Sequence, residues 1–91
     1  MIVVWTKDAL ESLRCVHAHI SAENPETAVR VIRDLKQATE KLMQFPNIGR
    51  SGYRPGMREL VVSNLPYIVI YRVTDCEVQI LQVFHAKQYR Q

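Results

Sequence analysis

Residues 66–73 read Pro-Tyr-Ile-Val-Ile-Tyr-Arg-Val, and this run limits the fold more than any other part of the chain. β-Branched and aromatic residues follow one another with no helical spacing, so the run reads as a strand. Strand side chains alternate between two faces. Val69, Tyr71 and Val73 therefore share one face, and Ile68, Ile70 and Arg72 share the other. Both faces are apolar over most of their length, so both need cover from water.

The segments before this strand supply cover for one face. Ile2-Val3-Val4-Trp5 is β-branched and aromatic and reads as a strand. Thr6 suits a helix N-cap, where its hydroxyl satisfies an amide that has no intrahelical partner. Leu10, Leu13, His17 and Ile20 then recur at three and four, which predicts an amphipathic helix over 7–22. On this stripe His17 reads as half-buried packing. Asn24-Pro25 starts a second helix, because proline at the first helical position gives up no hydrogen bond. Ala28, Val31, Ile32, Leu35, Ala38, Leu42 and Phe45 mark its apolar face, and Pro46 stops it. So short a separation predicts an antiparallel helix hairpin.

A loop rich in glycine and proline follows through Gly56, then strands near 57–63, 66–73 and 77–84. Asn64-Leu65-Pro66 and Thr74-Asp75-Cys76 connect them as a meander. The predicted fold is α+β: a small, mostly antiparallel sheet with an N-terminal helix hairpin, in the order β-α-α-β-β-β. At 91 residues it is a single domain, 1–91. Two helices cover only one face of the sheet. The other is expected to be covered by the C-terminal tail, a second copy or another protein.

Charge is uneven. Residues 1–49 hold six basic and six acidic side chains, whereas residues 50–91 hold six basic and three acidic. The whole excess of +3 thus lies in the second half, which suits nucleic acid or an acidic protein partner. The apolar N-terminal run is too short for a membrane span or a signal peptide and meets a charged helix at once, so a cytoplasmic protein is expected. Cys15 and Cys76 match no metal spacing and read as free thiols. His17-x-His19 has the wrong spacing for one helix face. The three glycines at 49, 52 and 56 lie between helix and strand, not between strand and helix as a phosphate loop requires. No metal or cofactor is expected.

Arg50, Arg54, Arg58 and Arg72 remain, with His85, Lys87 and Tyr89. Arginine clusters hold phosphates or carboxylates through forked, charge-assisted hydrogen bonds. Cleavage of RNA needs a base for the ribose hydroxyl, a cation for the phosphorane and an acid for the leaving oxygen. His85 could serve as base or acid, an arginine as cation, and Tyr67, Tyr71 or Tyr89 as a stacking platform. Arg58 and Arg72 read equally well as members of structural ion pairs at sheet edges.

In this order the motifs resemble the RelE/ParE superfamily of toxins. The resemblance is carried by Trp5, Asn24-Pro25-x-x-Ala28 and Phe45-Pro46-x-x-Gly49-Arg50. It continues through Gly56-x-Arg58-Glu59-Leu60-Val61, the 66–73 strand and Val83-Phe84-His85. It implies a toxin of a type II toxin–antitoxin, or plasmid-stabilisation, module, silenced by a cognate antitoxin. A homodimer or a hetero-oligomer with that antitoxin fits the same picture. RelE-like members cleave messenger RNA in the ribosome, whereas ParE-like members poison DNA gyrase. RelE-like strands usually carry arginine where this chain has Ile68, and that departure favours the ParE-like branch. The implied docking residues are Arg50, Arg54, Arg58, Ile68, Ile70, Arg72, Lys87, Tyr89 and Arg90. In the nuclease alternative, His85, Arg58 and Arg72 would be catalytic.

Overall fold

The structure, a computed structural model, describes residues 1–52 and 54–88. Strand β1 (Ile2–Trp5) leads into helices α1 (Lys7–Ser21) and α2 (Pro25–Glu40). Strands β2 (Arg50–Ser51), β3 (Met57–Val61), β4 (Tyr67–Val73) and β5 (Glu77–His85) follow. They form one sheet in the order β1-β5-β4-β3-β2, antiparallel except where β1 pairs with β5. The α+β reading holds, with β2 as an added strand inside the stretch read as loop.

Both predicted caps form. The Thr6 hydroxyl oxygen accepts the Ala9 N–H at 3.2 Å and donates its own proton to the Ile80 carbonyl at 2.8 Å. One side chain therefore starts α1 and ties it to β5. Asn24 accepts the Thr27 N–H at 3.1 Å, with Pro25 at the first helical position.

The buried face of α1 is Ala9, Leu13 and Val16, continued by half-buried Ile20. Their spacing of four, three and four rotates the stripe away from the one read in the sequence. Leu10 and His17 fall outside it and are exposed, so His17 is a surface residue. α2 buries Ala28, Val31, Leu35 and Thr39 and ends at Glu40, followed by a tight 3-10 turn at Lys41–Met43. Leu42 stays in the core, but Phe45 is 58% exposed. Pro46 offers no N–H and bars its predecessor from helical dihedrals, so the apolar face cannot run on to Phe45.

The core lies between the helix hairpin and one face of β4 and β5. Leu13, Val16, Val31, Leu35 and Leu42 meet Val69, Tyr71, Val78, Ile80 and Val83 there. On the opposite face Ile68 and Ile70 are each only 6% exposed. The cover expected for this face is thus supplied at its centre within the chain itself, without a second copy or another protein.

One irregularity positions the later part of β5. Tyr71 pairs with Ile80 but Ile70 pairs with Gln82, so Leu81 is an extra residue. Such a bulge reverses the facing of every side chain beyond it. Val78 and Ile80 point to the helices, and after the bulge Val83 and His85 do so as well. No helix of the described chain is long and apolar enough to cross a membrane.

Candidate functional site

The four arginines of the second half among the described residues divide between two faces and take different roles. Arg58 pairs with Tyr71 in the sheet register and so lies on the helix side. Its guanidinium donates to the Gly49 carbonyl at 2.8 Å and the Asn47 carbonyl at 3.3 Å. Tyr71 is fully buried beside it. The phenol donates to the Pro46 carbonyl at 2.8 Å and accepts the Gly49 N–H at 2.9 Å. Gly49 must be glycine, because a Cβ would stand 2.6 Å from the phenol oxygen. Arg58 and Tyr71 therefore fasten the loop after α2 to the sheet. A guanidinium bound to two carbonyls has a structural task, and the phenol is too deep to stack on a base.

Arg50, Arg54 and Arg72 belong to the opposite face. Arg50 Nε donates to the fully buried carboxylate of Glu59 at 2.7 Å. The ion pair thus joins Glu59 to Arg50 rather than to its neighbour Arg58. Arg72 donates from Nε and Nη2 to Gln79 Oε1 at 3.1 and 2.8 Å, and the Gln79 amide donates on to Glu77. Arg54 and Arg72, both exposed, line a cleft of about 750 Å³. Met57, Ile70, Leu81 and Phe84 give its apolar lining, and Thr6, Asp8, Gln82 and Gln88 its remaining polar edge.

His85 is elsewhere. It faces the helices beyond the bulge and lines a smaller cleft of about 380 Å³ with Ser12, Cys15, Val16, His19 and Tyr67. Its ring meets Tyr67 edge to face, with centroids 5.4 Å apart. Nδ1 accepts the Lys87 N–H at 3.1 Å, which leaves the proton of the neutral ring on Nε2. His85, Arg58 and Arg72 are not brought to one place. Lys87 is exposed, and Tyr89 and Arg90 lie outside the described residues.

Sequence reasoning did not find Met57, Leu81 and Phe84 as cleft residues. A signal was present: apolar positions run 78, 80, then 81, 83, a break of phase that marks a bulge. Among the described residues no group of three His, Cys, Asp or Glu is arranged to hold a metal ion. Both cysteines are free and exposed.

Burial raises the pKa of Tyr67 and of Tyr71 above the ordinary phenol value of 10.0. For Tyr71 the Gly49 amide and the Arg58 charge oppose part of that rise. Raised folded values mean that the unfolded chain loses these protons first. The contribution is therefore complete below the ordinary phenol value and disappears as pH climbs through the folded values. Urea midpoints measured from neutral to strongly alkaline pH should fall above 10.0. Tyr67→Phe should fall less steeply, and an equal decline in both proteins would refute the assignment to Tyr67.

Known proteins resemble this chain in sequence and in fold. Residues 3–89 match the family model described as the ParE toxin of the type II toxin–antitoxin system parDE. The chain is 39% identical over 84 residues to Y4kP of Sinorhizobium fredii, covering 92% of this chain and 86% of that one. It is 38% identical over 84 residues to Toxin RelE2 of Caulobacter vibrioides, covering 92% and 93%. A chain of the chromosomal ParDE toxin–antitoxin system from P. aeruginosa superposes with a TM-score of 0.88 at 30% identity. That superposition covers 93% of this chain and 95% of that one.

Proposed function

The chain belongs to the ParE toxin family of type II toxin–antitoxin systems, and from that premise we propose that it arrests cells by binding DNA gyrase, not by cutting RNA. A toxin of this kind has a cognate antitoxin, and a gyrase target sets its action in the cytoplasm, in a plasmid-stabilisation module or its chromosomal counterpart.

One observation carries the reading. Arg54 and Arg72 stand beside an apolar floor on one face, while His85 is on the other. Cations beside buried apolar surface suit a protein partner with an acidic side chain next to an apolar one. Cleavage would need a proton-transfer group beside those cations, and the histidine expected in that role is turned away. Arg54 and Arg72 are the docking residues of this proposal, with Arg50 and Lys87 at the margin. Ile68 and Ile70 act from beneath as support, since both are buried.

A nuclease reading has one point in its favour, the likeness to a relative named RelE2. A paired assay separates the two. The chain is induced without antitoxin, gyrase supercoiling is measured, and cut sites in translated messages are mapped. Inhibited supercoiling with intact messages is expected. Codon-linked cuts with normal supercoiling would end the gyrase proposal.

A further inference from the structure

The two edges of the sheet are built differently. At one end β2 is only two residues long and begins with Arg50, a charged and abbreviated edge of the kind that discourages pairing. At the other end β1 is Ile-Val-Val-Trp, with no charge, proline or bulge in it. The parallel register fixes which of its backbone groups are engaged. The Thr6 N–H donates to the Ile80 carbonyl at 3.1 Å, while the Thr6 carbonyl accepts the Leu10 N–H of α1, so in step with the Thr6 N–H it is Val4 and Ile2 that turn both N–H and C=O toward β5. Val3 and Trp5 must then turn theirs out of the sheet. β1 is the last strand, and no described residue hydrogen-bonds to those groups. Ile2 is 61% exposed beside them.

We infer that this edge is a self-pairing surface, and that a second copy of the chain binds it antiparallel through β1 to make one continuous sheet. The pattern is self-complementary. Setting Val4 opposite Val4 on a two-fold axis brings Val3 of each copy opposite Trp5 of the other. Those are the residues whose donors and acceptors point outward, so each pair exchanges both of its backbone bonds. The same register sets Ile2 opposite Thr6, and no charged side chain enters the seam between them. Shifting the register by one residue would set outward groups against inward ones, so the symmetric register is favoured. A strand this short gives a reversible, concentration-dependent dimer, and Arg54 and Arg72 stay outside the seam, which meets the edge of their cleft at Thr6. The inference does not depend on the target proposed above.

Sedimentation of the purified full chain over a wide concentration series tests it, with amide exchange read at Val3 and Trp5. The mass should double as concentration rises, and exchange at those two amides should slow in step. Val3→Pro deletes an outward N–H and no β1–β5 bond, so it should remain one chain at every concentration with its melting temperature kept. Should that variant melt early, Ile2→Lys decides instead, since it charges the seam from an exposed position. A wild-type chain that stays single at the highest concentration overturns the inference. So does a dimer undiminished in both variants. Protection of the two amides that appears only on adding the antitoxin also overturns it, and assigns the edge to that partner.

Discussion

Tyr71→Phe should cost about 2 kcal/mol of stability, and Tyr71→Ala at least about 4 kcal/mol. The phenol holds the loop after α2 from inside the sheet, beside the Arg58 guanidinium. It satisfies the Pro46 carbonyl and the Gly49 N–H together. Phenylalanine fills the same space but leaves both backbone groups without their partner beside a buried residue. A buried donor or acceptor stripped of its partner keeps the desolvation penalty of about 1–3 kcal/mol. Alanine adds a cavity at the centre of the core, where Tyr71 is the largest of the fully buried side chains. Gly49→Ala attacks the same joint from the other side, since its methyl would meet the phenol oxygen at 2.6 Å and the Glu59 carbonyl at 2.9 Å. Urea unfolding reads all three: the midpoints should fall while the slopes stay constant. A phenylalanine variant within about 0.5 kcal/mol of wild type would show that the two bonds do not hold the loop.

Local rules made much of this fold legible. Thr6 and Asn24-Pro25 each announce a helix by chemistry confined to a few residues, and both helices start there. The apolar run of β4 marks a strand buried on both faces, and Ile68 to Tyr71 are all buried. What the sequence concealed depends on partners distant in the chain. Nothing near Ile2–Trp5 states that its neighbour is β5, more than seventy positions away. Arg58 looks like a free cation until the Asn47 and Gly49 carbonyls are placed beside it. β2 is too short to carry an alternation, and only its pairing with Arg58 and Glu59 makes it a strand.

The bulge at Leu81 had the largest consequence for the site. Without it the parity of Val78 and Ile80 would place Phe84 in the core and His85 on the face of Arg72. That is the geometry a nuclease reading needs. One extra residue exchanges the two, giving Phe84 to the cleft and His85 to the helices. The residue types of a catalytic group were present, but a single backbone irregularity decided that they do not meet.

That separation leads to the largest functional effect expected. Arg54→Glu with Arg72→Glu should abolish growth arrest, while His85→Ala should leave it intact. Both arginines are exposed, and Arg72 is held only by a neutral amide, so reversal leaves no buried charge and the fold should survive. An acidic partner surface would instead meet like charge at two adjacent points. At a protein interface such contacts weaken binding by several kcal/mol in sum, a loss of affinity of at least about a hundredfold. Growth after induction without antitoxin, supercoiling by gyrase in the presence of each purified variant, and urea unfolding together decide the matter. Arrest that persists in the doubly reversed but folded variant would remove the cleft as the toxic surface. Arrest lost in a folded His85→Ala variant would return the activity to the histidine, and with it the possibility of proton transfer from the helix-facing side.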